Sequence, residues 1–451
     1  MIFFYKIIIN ILFVFILPFL PFIYFFSKKR RATLGSRFAV KADFKPKFKG
    51  KKRIWVHALS VGEVISALPF IKELKEQYPD LDIVFTASTK TGFDMAEQLF
   101  LKNRGLKNAG LENEGLENAS FENEDLVNQL GYFPFDLGFC VNKISSQIDP
   151  DAVVLVETDL WPNFLYKMKR RKTKVVLINA RLSERSLKGY LVFKKFSSMF
   201  FSSLTEIMAQ TQLDKKRFQS LGIDERKISV AGNIKFDQIH ENMDEQTVKV
   251  MKDSFGVQKG TRVFLAGSTH EGEEKILCSV YKKIKKKFPE LLMIIAPRDP
   301  KRSSVILSYF LSHDVNAEFM STVEKSSRRY GVILVDRMGE LSRLYAICDV
   351  AFIGGSMVRQ GGHNPLEPAA FSKPVLFGAD MSDFLLISNM LMESGGARRV
   401  ESEIQLEKEI ETILGNRQMQ QHMGSQNFEI FSRNSGAVQR TIENMKSLNI
   451  L

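Results

Sequence analysis

The sequence predicts two doubly wound α/β domains facing one another across a cleft, with a membrane helix ahead of them. Three observations predict this. At 451 residues the chain exceeds one ordinary core, so two domains of about 200 residues each are expected. Short apolar runs alternate with amphipathic stretches through both halves, the pattern of parallel strands joined by helices. Nearly every apolar run exits into glycine, carboxylate or other polar residues, as it does where a ligand site lies along the carboxyl ends of parallel strands.

Composition narrows the function classes. Hydrophobic residues make up 44% and charged residues 25%, which is ordinary for a globular chain. The net charge of +13 asks for an anionic partner, either a membrane surface or nucleic acid. Cys140, Cys278 and Cys348 are widely spaced in apolar settings, which argues against a disulfide framework and for a reducing compartment. No Cys/His cluster has metal-ligand spacing, so no structural zinc is expected.

Residues 7–26 read IIINILFVFILPFLPFIYFF, enough as a helix to cross about 30 Å of hydrocarbon. A cleaved signal peptide would need a shorter apolar core and a small-residue cleavage site. The run SKKRR at 27–31 follows at once and places the downstream chain on the cytoplasmic side. The expectation is a membrane anchor with a basic flank over 1–31, at the cytoplasmic face of the inner membrane.

The first domain is expected over 32–237. Residues 53–58 (RIWVHA) predict its first strand, and Val64, Ala67, Leu68, Ile71 and Leu74 fall on one helix face after it. Glu63 then stands in the first helical turn at a strand exit. It either complements the helix dipole or does chemistry there. Strands at 82–87, 151–156 and 174–178 follow, the third exiting at Glu157 and Asp159 and the fourth at Arg181 and Arg185. The two arginines suit a phosphate or sugar carboxylate, or else pair with Glu157 and Asp159. Residues 188–196 interleave lysine with aromatics, as membrane interfaces do. At 105–125 a five-residue period places Leu106, Leu111, Leu116 and Phe121 among polar and acidic residues, an insertion that buries little.

A polar linker is expected at 238–260, a second domain over 261–425 and a C-terminal helix over 426–451. The second domain has strands at 262–266, 291–296, 332–335 and 350–353, each with a polar or glycine-bearing exit. After 350–353 come two glycine pairs, Gly354-Gly355 and Gly361-Gly362, then His363, Asn364, Pro365 and Glu367. Glycines allow close backbone approach, and a helix start offers N–H groups to an anion, so the stretch reads as a nucleotide or nucleotide-sugar cradle. The plain alternative is a turn that serves strand-to-helix packing.

Taken together, HALSVGEV (57–64), ETDLWPNF (157–164), NARLSERS (179–186), GNIKFD (232–237), AGSTHEGEE (266–274), APRDPKR (296–302), DRMGEL (336–341) and GGSMVRQGGHNPLEPAA (354–370) resemble, in order, the 3-deoxy-D-manno-octulosonate (Kdo) transferases of lipid A assembly. The resemblance runs from the membrane segment to about residue 400. It implies the GT-B glycosyltransferase fold and transfer of Kdo from CMP-Kdo to a lipid A precursor, with inversion, no cofactor and no metal. It implies Glu63 as general base, since inversion asks one carboxylate to take the acceptor's proton. On the donor side it places Ser268, Arg298, Met338, Gly339, Asn364 and Glu367, with Lys235 and His270 near them. Ser60, Glu157 and Arg185 would line the acceptor side. The repeat insertion and the stretch GADMSDF (378–384), where the family has GPHxxNF, depart from its pattern. Two other readings stay open: a GT-B enzyme using a UDP-sugar, and a membrane-tethered nucleic-acid-binding protein, although no nucleic-acid module is visible.

Overall fold

The computed structural model describes residues 2–19, 28–101, 125–157, 161–237, 243–324 and 330–451. The chain forms two compact units, one from residues 1–238 together with 435–451 and one from residues 239–434.

The first unit is built on a seven-stranded parallel sheet of β1 (Arg53–Ala58), β2 (Asp82–Ala87), β3 (Gln129–Tyr132), β4 (Ala152–Val156), β5 (Lys174–Ala180), β6 (Glu206–Ala209) and β7 (Ile228–Val230), in the order β3-β2-β1-β4-β5-β6-β7. β1, β2 and β4 are buried throughout, as expected of strands covered by helices on both faces. One core layer gathers Val56, Phe70, Ile71, Phe85 and Val154. The opposite layer gathers Trp55, Phe133, Leu155, Phe164 and Phe201. Helix Val61–Gln77 buries Val64, Ala67, Ile71 and Leu74 of the stripe read from the sequence and half-buries its Leu68. At the amino end of the sheet, fully buried Arg53 bonds to Asp82 at 2.7 Å and to the carbonyl of Ile148 at 2.8 Å.

The second unit repeats the plan with β8 (Arg262–Thr269), β9 (Leu291–Pro297), β10 (Ala317–Phe319), β11 (Val332–Leu334), β12 (Val350–Ile353), β13 (Val375–Phe377) and β14 (Ala397–Arg399), in the order β10-β11-β9-β8-β12-β13-β14. The connections leaving two adjacent strands run to opposite sides at β1 and β4 in the first sheet and at β8 and β12 in the second. Crevices for ligands open at the carboxyl ends of strands at such points.

Two expectations about chain organisation are revised, and the expected membrane segment at 7–26 lies only in part within the described residues. The N-terminal segment is a 15-residue helix, Ile2–Ile16, followed by a 3₁₀ turn, Leu17–Phe19, at Pro18. Among the described residues no helix is long and apolar enough to cross a membrane. The described helix packs on the first unit. Tyr5 donates to Asp136 at 2.8 Å and packs on Phe196 and Phe200, and Phe13 packs on Phe38 and Phe139. The expected helix over 426–451 is two helices, Arg417–Asn434 and Ala437–Ser447, broken at Gly436 with φ +83. The second of them returns to the first unit, where Asp237 accepts the N–H of Gly436 and Val438. The expected linker carries a helix, Glu245–Ser254, that belongs to the second unit. Most of the repeat insertion lies outside the described residues.

Candidate active site

In the first unit the predicted side chains collect at the carboxyl edge of the sheet. β1 exits through Leu59 into Ser60, the N-cap of helix Val61–Gln77, with Glu63 in its first turn. The Glu63 carboxylate accepts the N–H of Leu59 at 2.6 Å and the hydroxyl of Ser60 at 3.2 Å. These bonds tie the carboxylate to the loop from which its helix springs and fix its direction. Glu157 stands across the switch point, directly after β4. Its φ of +65 is a left-handed conformation that a glutamate rarely adopts. Burial raises its pKa, and Lys235 and Arg181 oppose that rise. Arg181 is therefore the arginine that faces Glu157. Arg185 is exposed on helix Glu184–Val192 and, among the described residues, is not one of the charges acting on Glu157. Lys235 is in the first unit, on the turn Ile234–Asp237, which packs against the helix that carries Glu63. Asn179, also left-handed at φ +52, accepts the N–H of Ile234 at 3.2 Å and so joins the β5 exit to the Lys235 turn.

Backbone strain of this kind is retained where the surroundings over-determine it, commonly at functional sites. Ser268 in the second unit is a third case, at φ +55. It is half-buried near the end of β8, with His270 just beyond, Arg298 exposed after β9, and Met338 and Gly339 exposed in the loop after β11. Asn364 and Glu367 follow β12 through the glycine-rich loop. Asn364 donates to Glu367 at 3.4 Å, a long bond, and its side-chain oxygen accepts the N–H of Leu366 at 3.1 Å. Burial pushes the Glu367 carboxyl up to about 7, while Asn364 and Arg298 pull the other way.

The glycine-rich loop is not the open anion cradle that its sequence suggests. Glu273, in the first turn of helix Glu273–Lys287, turns its carboxylate into the loop. It accepts the N–H groups of Gly355 (2.8 Å), Ser356 (3.1 Å) and Met357 (3.0 Å), together with that of His270 (2.9 Å). The N–H of Gly361 goes to Asp380 at 2.9 Å and that of Gly362 to the carbonyl of Gly355 at 3.1 Å. The helix after Pro365 is only five residues long, Leu366–Ala370. The glycines serve close approach. A Cβ on Gly354 would sit 2.3 Å from the carbonyl oxygen of Ser268, and one on Gly378 would sit 2.3 Å from that of Ser356. Asp380, in the stretch that departs from the resemblance, thus has a part in holding the loop.

Two pairings at the candidate site escaped the sequence reading. Glu273 was visible only as part of an exit loop, because nothing local announces bonds to residues 82 to 84 places later. His363 lies beside Asn364 and bonds His270 at 2.8 Å through the two Nε2 atoms, a long-range pairing with no periodic signal. His57, inside the first quoted motif, is structural: it is buried, stacked on Phe133 at 3.9 Å and bonded to the carbonyl of Thr86 at 2.9 Å. Burial lowers its pKa to about 3, so it is neutral.

Known proteins with this organisation settle the family. A family model described as 3-deoxy-D-manno-octulosonic-acid transferase (kdotransferase) matches residues 32–238. The 3-deoxy-D-manno-octulosonic acid transferase of Haemophilus influenzae is 34% identical over 395 residues, which is 87% of this chain and 86% of that one. The chain belongs to the Kdo transferases. The corresponding enzyme of Chlamydophila psittaci is 28% identical over 82% of this chain and 79% of its own. Among solved structures, the UDP-GlcNAc 2-epimerase of Neisseria meningitidis bound to UDP-GlcNAc superposes with a TM-score of 0.53 at 16% identity, over 88% of this chain and all of that one. That likeness concerns the fold, a two-domain GT-B-like α/β architecture. As a Kdo transferase the chain is a glycosyltransferase of lipopolysaccharide biosynthesis.

Proposed function

We propose that this Kdo transferase moves Kdo from CMP-Kdo to a lipid A precursor, lipid IVA, with inversion, at the cytoplasmic face of the inner membrane. The observation that carries the reading is the position of Glu63 and Glu157 on either side of the β1/β4 switch point, with cationic Lys235 and Arg181 beside Glu157. Glu63 takes the proton of the acceptor hydroxyl as the bond from Kdo to phosphate breaks. Ser60 orients it. Glu157, Arg181 and Lys235 hold the acceptor, whose phosphates suit the cations. Lys235 is thereby assigned to the acceptor side rather than the donor side, because it shares a cluster with Glu157. In the second unit Ser268, His270, Arg298, Met338, Gly339, Asn364 and Glu367 bind the nucleotide, and Arg298 offsets the charge that CMP acquires as it leaves. No cofactor takes part in this scheme.

Membrane attachment rests on a different set of residues. Ile7, Ile8, Ile11, Leu12, Val14 and Phe15 are exposed on the face of the first helix turned away from the protein, and Val192 and Phe193 are exposed on the same unit. With the cationic sequence at 28–31 and Lys194 and Lys195 nearby, they suit an anionic bilayer surface. The test is purified protein given CMP-Kdo and tetraacylated lipid A precursor, with the product read by mass spectrometry. Turnover only with a UDP-sugar would overturn the donor assignment.

A further inference from the structure

Strand β5 does not keep a regular alternation to its end. Val175 and Leu177 pack in the layer of Trp55 and Phe164, and Val176 and Ile178 in the layer of Val56 and Phe70. By the period of two, residue 180 belongs with Ile178. Instead Ala180 and Leu182 both pack in the Trp55 layer. The pairing with β6 shifts at the same place. Leu177 stands opposite Ile207 and Ala180 opposite Ala209, so three steps on β5 match two on β6. The extra residue makes a β-bulge, and Asn179 is its left-handed member at φ +52.

The residue type suits the position. Asparagine tolerates the left-handed region better than most side chains do. Asn179 is fully buried, and its Oδ1 accepts the N–H of Ile234 at 3.2 Å. Its Nδ2 is buried with no hydrogen-bond partner among the described residues. An orphaned buried donor is costly, so the oxygen is what the position uses. The carbonyl of Asn179 accepts Nε2 of Gln210 at 3.0 Å, which ties the bulge to the exit of β6.

Two cations depend on this geometry. With an extended backbone at residue 179, Arg181 would share the side of Val175 and Leu177. With the bulge, Arg181 lies between Ala180 and Leu182 and turns to the other side, that of helix Val61–Gln77 and Ile234. Lys235 follows Ile234 on the turn that Oδ1 holds. The far end of the turn is pinned where Asp237 accepts the N–H groups of Gly436 and Val438. Glu157 comes one step past the Val156–Ile178 pair and donates its N–H to the carbonyl of Ile178 at 3.0 Å. Lys235 and Arg181 both draw its carboxyl down against the effect of burial.

We propose that Asn179 is a positioning residue for the acceptor's phosphate: its left-handed bulge aims Arg181, and its side-chain oxygen holds the turn that carries Lys235. This rests on the acceptor reading above, in which both cations grip the lipid. Asn179 acts only through them.

Two substitutions separate the two actions. Asn179→Gly keeps the left-handed backbone and removes the oxygen. Asn179→Val removes the oxygen and opposes the backbone as well. Asn179→Gly should raise the KM for tetraacylated lipid A precursor by about five- to tenfold. Its kcat and its KM for CMP-Kdo should stay within about twofold, because a phosphate grip is the same before and during the reaction. Added to Lys235→Met it should change the acceptor KM by less than about twofold, whereas with Arg181→Met the two effects should multiply. Asn179→Val should raise the acceptor KM beyond the glycine variant and add little once both cations are removed. If the valine variant does not fold, Asn179→Ala, which strains the same backbone less, takes its place. Independently of activity, the Ile234 amide should exchange with deuterium at least about tenfold faster in Asn179→Gly than in wild type. Equal losses for donor and acceptor, effects that multiply with Lys235→Met, or an unchanged Ile234 exchange rate would overturn the proposal. A backbone-opposing variant no worse than Asn179→Gly would overturn the aiming of Arg181. Lys235→Met and Arg181→Met that leave the acceptor KM unchanged would refute the acceptor reading itself, a pattern distinct from cations that matter without coupling to Asn179.

Discussion

Glu273 and Gly355 are joined by a hydrogen bond of 2.8 Å in which the carboxylate of a helix start accepts a backbone N–H from the glycine-rich loop. Each oxygen of Glu273 takes two such bonds, one accepting from His270 and Gly355 and the other from Ser356 and Met357. The carboxylate therefore fills the nest that the glycine spacing suggests for a ligand phosphate. Glu273→Gln keeps one accepting oxygen and turns an NH₂ group against two donors. The expected loss of stability is about 2–4 kcal/mol by urea unfolding, since buried donors lose charged partners. CMP affinity should drop with it, at least about tenfold, because His270 loses its anchor. Near-normal stability and affinity would mean that the loop holds its shape without this carboxylate.

The Glu63 carboxylate is oriented by the N–H of Leu59 and the hydroxyl of Ser60. Glu63→Gln keeps the size of the side chain and one accepting oxygen but removes the basic site. Kdo transfer should fall by about 10²–10⁴, the range for losing a general base, while CMP affinity stays near normal because the proposed nucleotide site is on the second unit. Substantial residual turnover would move the role to Glu157. Ser60→Ala should cost far less, as it removes only a 3.2 Å orienting contact.

Much of this arrangement was legible because it depends on local pattern. The apolar runs at 53–58, 82–87 and 350–353 became strands at the expected residues. Their exits carry the candidate site residues because parallel strands present a common edge. β3 and β6 were not read: Gln129–Tyr132 has little apolar content to betray it, and Glu206–Ala209 is only four residues long. The placement of a candidate residue was legible where it stands at its own strand's exit, as do Glu63, Glu157 and Asn364. It was not legible where partners are distant in sequence. The bond between His270 and His363, the nest filled by Glu273 and the choice of Arg181 over Arg185 each depend on how strands are ordered in a sheet. The apolar run at 7–26 lies only in part within the described residues, where Tyr5 and Phe13 of the first helix find aromatic partners on the folded unit.

The first unit has a fully buried ion pair at the amino end of its sheet, away from the site. Arg53 reaches Asp82 at 2.7 Å and also donates to the carbonyls of Lys45, Pro46 and Ile148. Removing the carboxylate leaves an uncompensated guanidinium in the core. Asp82→Ala should destabilise the unit by about 3–5 kcal/mol, as single truncations of buried pairs do. Urea unfolding monitored on the first unit checks this. A loss below about 1 kcal/mol would show that the carbonyls suffice to hold the charge.

The repeat insertion leaves and re-enters the first unit at adjoining points. The N–H of Leu126 bonds to the carbonyl of Phe100 at 2.9 Å, so the two ends already meet. A much shorter turn can make the same closure, and shortening the loop lowers its closure entropy by about 1 kcal/mol. Deleting residues 105–124 should therefore leave thermal stability unchanged or slightly raised, and Kdo transfer within about twofold. A chain that fails to fold would show that the insertion packs on the unit.

Glu367 gives the apo protein a pH dependence of defined sign. Its carboxyl is pushed from an ordinary value of 4.5 up to about 7 by burial. Between those values the folded chain keeps a proton that the unfolded chain releases, so its contribution to stability falls as pH rises and levels off above about 8. Glu367→Gln removes the titration. The variant and wild type should be equally sensitive to urea near pH 4.5. By pH 8 the variant should be the more stable by about 1–3 kcal/mol. Other groups that titrate in the window, including Asp136 at about 6, act in both proteins and cancel in the difference. Arg298 pulls the Glu367 carboxyl downward, so Arg298→Ala should widen the gap between the two curves. Parallel curves across the whole range would mean that Glu367 is ionised in the fold, held by more than Asn364 and Arg298.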